Sequence, residues 1–317
     1  MKVLITAPWV QQYADELRAE FPQVNFVVTQ APTEQLQAIV DAEIVFGSVT
    51  SELFQAAQKL RWIQFPAAGV EWMQQVPALV NSQVTVTNAR GAHATTIAEH
   101  TFGMLIHLAR NFAELLEAQK QKIWLRQQQS KPSFGLVGMT MGIVGLGQIG
   151  RAIAKRAHAF EMKVIAVDVH PLQKPDYVAE LRLLDGLNDL MQRSDVVVIA
   201  TPITAETRGT IGATQLRLMK PSAYLLVMSR GGIVDELTLI AMLKENKLAG
   251  AGLDVAAIEP LPADNDLWNA PNTIITPHCS PASEQTRSNV TDILRSNLKS
   301  YLAGQSLTNV VDKKLGY

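Results

Sequence analysis

Short apolar runs and helical patterns alternate along the first hundred residues. The runs KVLIT, VNFVV, AEIVFGS, RWIQF and VTVTNA read as strands. Between them, QQYADELRAEF sets Tyr13, Leu17 and Phe21 four apart, on one face of a helix. TEQLQAIVD reads as a second helix and SELFQAAQKL as a third, opened by a Ser cap. Alternation of this kind means βαβ units and a parallel sheet.

From Thr95 to Ala118 the pattern predicts one long helix, placed as a bridge between two α/β regions. The stretch that follows, KQKIWLRQQQSKPSFGLVG, is polar and broken by Pro132 and two glycines, which suits a surface connection. A second α/β series begins at TMGIVGLGQIGRAIAKRAHAFEMKVIAVD. Further strands are expected at DVVVIAT, AYLLVMS, AGAGLDV and NTIITP. The closing stretch SEQTRSNVTDILRSNLKSYLAG reads as a capped amphipathic helix ending near Gly304. The second sheet is complete without it, so it is expected to return to the first domain.

A chain of 317 residues exceeds what one hydrophobic core usually serves, which agrees with two domains. The net charge of −1 argues against a large basic surface for nucleic acid or acidic membrane. No stretch approaches the roughly 18 uncharged apolar residues of a membrane span, and the N-terminus lacks the pattern of a signal peptide. One cysteine, Cys279, cannot form an intrachain disulfide, which fits a reducing compartment. The expectation is a cytoplasmic protein acting on small molecules.

The stretch IVGLGQIG carries Gly145, Gly147 and Gly150, with Gln148 and Ile149 opening the helix that follows. A lone G-x-G-x-x-G is weak evidence, but here an apolar strand precedes it and a helix follows. In that context the first glycine serves the turn, the second the approach of a pyrophosphate and the third helix–strand packing. The N–H groups of the helix start would meet the phosphate charge. Asp168 ends the next strand, 23 residues after Gly145, where an acid would accept hydrogen bonds from ribose hydroxyls. The same charge repels a 2′-phosphate, so NAD is expected over NADP, although His170 and Lys174 lie just beyond.

Three further residues follow expected strands of the second series: Arg230, Glu259 and His278. Ligands of doubly wound sheets bind at the carboxyl ends of strands. Reduction of a ketone needs a hydride and a proton, and a histidine can deliver the proton near neutral pH. A carboxylate on the other ring nitrogen fixes the tautomer, and an arginine can hold a substrate carboxylate and polarise the carbonyl. Each residue alone is also compatible with an ordinary structural role; together, beside a dinucleotide fold, they point to chemistry.

At this point the sequence resembles the D-isomer-specific 2-hydroxyacid dehydrogenase family across essentially its whole length. The matching stretches are GIVGLGQIGRAIAKRAHAF, SRGGIVDELTLIAMLKENKLAGAGLDV, EPLP and NTIITPH. The resemblance implies an α/β fold of two doubly wound parallel-sheet domains, a Rossmann cofactor domain inserted in a flavodoxin-like substrate domain. Residues 1–94 and 283–317 would form the discontinuous substrate domain and residues 95–282 the dinucleotide-binding domain. It implies Arg230 as substrate-binding arginine, Glu259 as the histidine's partner and His278 as acid/base. It further implies Asp254 at the nicotinamide carboxamide, Thr201 and Pro202 lining the nicotinamide pocket, and a homodimer formed through the cofactor domain. Ala68, Gly69 and Val70 resemble the segment whose backbone N–H groups hold the substrate carboxylate. The expected activity is interconversion of a small 2-oxo acid and its D-2-hydroxy acid. The alternatives are a formate- or phosphite-type dehydrogenase on the same fold and an NAD-sensing, corepressor-like scaffold.

Some positions depart from the common family pattern. Glu71 stands where aspartate is frequent, Trp72 could line the pocket or belong to the core, and Cys279 replaces an apolar or small residue. His100 and His107 lie seven apart on the expected long helix. The sequence offers no Cys or His cluster to complete a metal site with them, so no metal is expected. Cys279 is read as a packing residue near the site; neighbours on an extended chain point to opposite sides, so its side chain need not meet that of His278.

Overall fold

The computed structural model describes residues 1–126, 132–170, 173–204 and 206–314. The chain divides into two compact units, Met1–His93 with Ala282–Tyr317, and Ala94–Pro281. Among the described residues no helix is long and apolar enough to cross a membrane.

The first unit is built on five parallel strands: β1 (Lys2–Ile5), β2 (Asn25–Val28), β3 (Ile44–Phe46), β4 (Trp62–Gln64) and β5 (Thr85–Thr87). Their order is β2-β1-β3-β4-β5. Side chains of a strand alternate between faces, and two cores result. Val3, Ile5, Ile44, Phe46 and Trp62 join one, while Leu4, Val45 and Ile63 join the other. The helix Glu284–Leu302 belongs to this unit. Its Val290, Leu294 and Leu298, four apart, are buried in the first of those cores. Burying each is worth about 2 kcal/mol. Ser283 caps this helix by accepting from the Thr286 N–H. Two buried polar pairs tie the elements together: Trp62 Nε1 donates to Thr87 Oγ1 at 2.7 Å, and Asn297 Nδ2 donates to Gln64 Oε1 at 3.0 Å.

The second unit holds seven parallel strands: β6 (Thr140–Val144), β7 (Lys163–Asp168), β8 (Glu180–Leu183), β9 (Val196–Ile199), β10 (Tyr224–Val227), β11 (Gly250–Leu253) and β12 (Thr273–Ile275). Their order, β12-β11-β10-β9-β6-β7-β8, reverses direction between β6 and β9. This is a topological switch point, where the crossovers to either side leave a crevice at the strands' carboxyl ends. The central strands are buried on both faces: Val197 and Ile199 enter one core, Val196 and Val198 the other.

Three local readings are corrected. The single helix expected over 95–118 is two, Ala94–Ala109 and Phe112–Lys120, separated where Asn111 takes a left-handed conformation at φ 53°. Asparagine tolerates that region better than most residues, and periodicity does not register one such residue. The first of these helices packs on the helix Gln148–Ala159 within the second unit. The helix Ser51–Ala56 is capped by Thr50, whose hydroxyl accepts from the Leu53 N–H, rather than by Ser51. Strand β8 was not expected, because Glu180 and Arg182 on a half-exposed edge carry no apolar run. Of the polar connection expected over 120–138, residues 127–131 lie outside the described ones.

Candidate active site

The carboxyl edge of the second sheet gathers most of the expected residues. Reading along it from β7, Asp168 ends β7 and the glycine loop follows β6. Thr201 and Pro202 then follow β9, Arg230 follows β10, Asp254 and Glu259 follow β11, and His278 follows β12. At about 4.8 Å per strand, the five spacings from β7 to β12 cover roughly 24 Å, room for an extended dinucleotide with a small molecule at its end.

The glycine loop sits in the switch-point crevice. Gly145 has φ 96°, and a Cβ there would lie 2.7 Å from the Thr201 backbone nitrogen, so the loop and the end of β9 meet as bare backbone. A Cβ on Gly150 would lie 2.0 Å from the Gly145 carbonyl oxygen, which seats the helix against the loop. Space beside Gly147 is open. Gln148 and Ile149 begin the helix Gln148–Ala159, whose first N–H groups face no helical acceptor. Asp168 accepts from the Leu146 N–H at 2.7 Å and the His170 N–H at 3.0 Å, so its carboxylate joins the glycine loop to the end of β7. An open backbone cradle at a helix start, with an acid on the adjacent strand, fits a nicotinamide dinucleotide.

At the other end of the edge, His278 Nδ1 lies 2.8 Å from Glu259 Oε2. The second oxygen of that carboxylate, Oε1, accepts from the Ala256 N–H at 3.1 Å. Glu259 is therefore oriented by its own loop, and the histidine's Nε2 is left for other partners. Both side chains are a little over one-third exposed. His278 is held in the left-handed region at φ 52°, its N–H donating to the Asp254 carbonyl at 2.8 Å. A non-glycine residue in that region is uncommon, and the hydrogen bond is what secures it. The chain is thus not extended at this point, so the strand alternation expected of His278 and Cys279 does not apply here.

Asp254 is more deeply buried than a residue touching only a ligand would be, its side chain having no exposed area. Its Oδ1 accepts from the Thr276 hydroxyl at 2.5 Å and the Cys279 N–H at 3.0 Å, and its Oδ2 from the Ser280 N–H at 3.1 Å. The carboxylate thereby holds the loop on either side of His278. Thr276 also meets His100 Nε2 at 3.0 Å, and that nitrogen is 3.8 Å from Asp254 Oδ1. Arg230 donates to the Ser229 carbonyl at 2.8 Å, and Thr201 is buried while Pro202 is exposed.

Two contributors escaped the reading of the sequence. Glu236, in the first turn of the helix Glu236–Lys244, accepts from the Ala257 N–H at 2.6 Å. With Glu259 on the Ala256 N–H, two carboxylates hold consecutive peptides of one loop. Burial pushes the Glu236 carboxyl up, and the nearby Glu259 charge adds to the rise. A Cβ on Gly231 would fall 1.8 Å from the Ala256 carbonyl oxygen, so the segment following Arg230 packs directly on that loop. Glu236 reads in the sequence as an ordinary acid of a helix start, and nothing in its spacing announces a partner 21 residues away.

In the first unit, the loop after β4 carries Ala68, Gly69 and Val70. The Ala68 carbonyl accepts from Asn88 Nδ2 at 2.7 Å, and the Val70 side chain is buried in the core. Trp72 belongs mainly to that core too, its ring 5.3 Å from that of Phe65.

Residues 102–280 match the model of the D-isomer specific 2-hydroxyacid dehydrogenase family's NAD binding domain. The chain belongs to this family. It is 34% identical over 296 residues to a glycerate dehydrogenase of Methylorubrum extorquens, an alignment covering 90% of each chain. It is also 34% identical to a D-3-phosphoglycerate dehydrogenase of Methanocaldococcus jannaschii over 98% of its own length, but it spans only 59% of that longer protein. A solved D-isomer specific 2-hydroxyacid dehydrogenase family protein from Aeromonas salmonicida superposes with a TM-score of 0.87 at 31% identity, covering 98% of this chain and 99% of the other. The family's chemistry is NAD(P)-dependent oxidoreduction of 2-hydroxy acids.

Proposed function

We propose that this protein interconverts a small 2-oxo acid and its D-2-hydroxy acid, with NAD as the preferred cofactor. The observation that carries the reading is the His278–Glu259 contact at 2.8 Å, on the same sheet edge as the glycine loop. The cofactor, when bound, supplies or accepts the hydride. Glu259 keeps a proton on Nδ1 of His278, so Nε2 is the nitrogen that gives a proton to the carbonyl oxygen and retrieves it from the hydroxyl in reverse. Arg230 holds the substrate carboxylate and polarises the carbonyl. Ala68, Gly69 and Val70 are proposed to add backbone N–H groups for the same carboxylate.

At the dinucleotide's other end, Gly145, Gly147, Gln148, Ile149 and Gly150 receive the pyrophosphate, and Asp168 exchanges its present N–H donors for ribose hydroxyls. Its charge is the argument for NAD over NADP. Thr201, Pro202 and Asp254 are assigned to the nicotinamide end. A homodimer through the cofactor unit is supported by Phe112, Leu116, Ile123 and Trp124, an exposed apolar set in which Trp124 is 91% exposed. A cytoplasmic setting is supported by the single free cysteine.

The test is turnover of a panel of 2-oxo acids with NADH and with NADPH, in the wild type and in His278→Gln. The variant should keep NADH affinity and lose about 10²- to 10⁴-fold in reduction. Unchanged turnover of the variant would remove His278 from the mechanism.

A further inference from the structure

Cys279 is the chain's only cysteine. The sequence offered it no metal-binding company. The fold does: one donor atom each of His100, Asp254 and Cys279 lie within 4.8 Å of one another, all in the second unit. They come from three places, the helix Ala94–Ala109, the end of β11 and the loop after β12. We propose that these three side chains form a binding site for a thiophilic divalent cation of the Zn²⁺ type, open to water at its fourth position.

The donor set is the first argument. An imidazole nitrogen, a carboxylate oxygen and a thiolate are the ligands Zn²⁺ takes, and a three-ligand site with one open position is among its ordinary arrangements. Geometry is the second. Tetrahedral bonds of zinc length place donors about 3.3–3.6 Å apart. His100 Nε2 and Asp254 Oδ1 are already 3.8 Å apart. The remaining closure, from at most 4.8 Å to bonding separation, falls mainly to Cys279, a half-buried side chain on a loop. Donors from Thr276, Cys279 and Ser280 hold the Asp254 carboxylate in place, and the Thr276 hydroxyl on Oδ1 must give way to the ion. Access is the third. The His100 side chain is 25% exposed, so an ion has a way in.

Binding has a defined cost. His100 Nε2 must give up its contact with Thr276 and present a lone pair, and the Cys279 thiol must release its proton to the buffer. Occupancy also has a consequence, which rests on the function proposed above. Asp254 holds the loop on either side of His278, so an ion tying Asp254 to Cys279 would clamp that loop and take the carboxylate assigned to the nicotinamide end. Zn²⁺ should then act as a reversible inhibitor.

Because the chain has a single thiol, the site can be read without an activity assay. Titration of the reduced, full-length protein with CoCl₂ should produce a thiolate-to-cobalt charge-transfer absorption that saturates at one equivalent. One equivalent of ZnSO₄ should abolish that band and slow reaction of Cys279 with a disulfide reagent at least about tenfold. Cys279→Ser should lack the band, and His100→Gln should weaken Zn²⁺ protection of the thiol by a similar factor. Absence of the band, together with thiol reactivity indifferent to Zn²⁺, would overturn the site. In a separate arm, Zn²⁺ should inhibit the wild type but not Cys279→Ser, with EDTA restoring the rate. Zn²⁺ binding that leaves wild-type turnover intact would keep the site and overturn its coupling to His278.

Discussion

Replacement of Glu259 by glutamine tests the proposed acid–base pair at the atomic level. The carboxylate faces two hydrogen-bond donors, the Ala256 N–H at Oε1 and His278 Nδ1–H at Oε2. Glutamine has one acceptor oxygen, so it can satisfy only one of them. If its oxygen stays on Ala256, its NH₂ meets Nδ1 and forces the neutral tautomer with the proton on Nε2, which cannot take a proton from a hydroxyl. If the amide is flipped, NH₂ meets the Ala256 N–H and the loop loses its anchor. The change replaces a charge-assisted bond by a neutral one, about 1 kcal/mol, and leaves one donor poorly paired, about 1–2 kcal/mol. The lower parts of those ranges apply because both side chains are over one-third exposed. The total of about 2–3 kcal/mol corresponds to roughly a 30- to 150-fold fall in kcat/KM. The assay is steady-state kinetics in both directions with the best 2-oxo acid of the panel and its D-2-hydroxy acid, with NADH affinity by fluorescence and folding by circular dichroism. A loss below about 3-fold in both directions, with affinity and fold intact, would show that the contact does not orient the reacting histidine.

Asp168→Ser should weaken NADH binding and relax discrimination against NADPH, measured as the ratio of kcat/KM values for the two cofactors; a wild type that already prefers NADPH would refute the reading of this position. Gly150→Ala places a methyl group 2.0 Å from the Gly145 carbonyl oxygen, so the helix must back away from the loop. The expected result is a loss of about 1–3 kcal/mol in urea unfolding and a marked loss of NADH affinity; full retention of both would refute the packing argument. Glu236→Ala should lower kcat by loosening the loop that carries Glu259, whereas Glu236→Gln keeps an acceptor for the Ala257 N–H and should restore most of it; equal losses would assign the effect to the charge. Burial raises the Glu236 carboxyl above its ordinary value, so its contribution to stability is complete below that value and is lost as pH rises through the raised one. The wild type should therefore lose stability over that range relative to Glu236→Gln, which thermal unfolding at several pH values would show.

Much of this molecule is written locally. Apolar runs of four or five residues, alternating with helical patterns, determine two parallel sheets, because each strand must bury both faces and each crossover must supply a helix to cover one. The glycine loop is equally local: strand, turn and helix start lie within one short stretch, and Asp168 closes the next strand. The placing of Arg230, Glu259 and His278 after β10, β11 and β12 follows once those strands are recognised, since parallel neighbours share a carboxyl edge. Other features depend on groups that are distant in sequence. Asn111 divides a helix through one backbone torsion that periodicity does not register, and β8 is a strand because β7 offers it a ladder, not because its residues are apolar. Glu236 meets Ala257 only because β10 and β11 lie side by side, and the burial of its carboxylate is a property of that packing. The same holds for His100, Asp254 and Cys279. Their separations in sequence are large, and only the seating of a helix over one end of the sheet brings imidazole, carboxylate and thiol within reach of one ion.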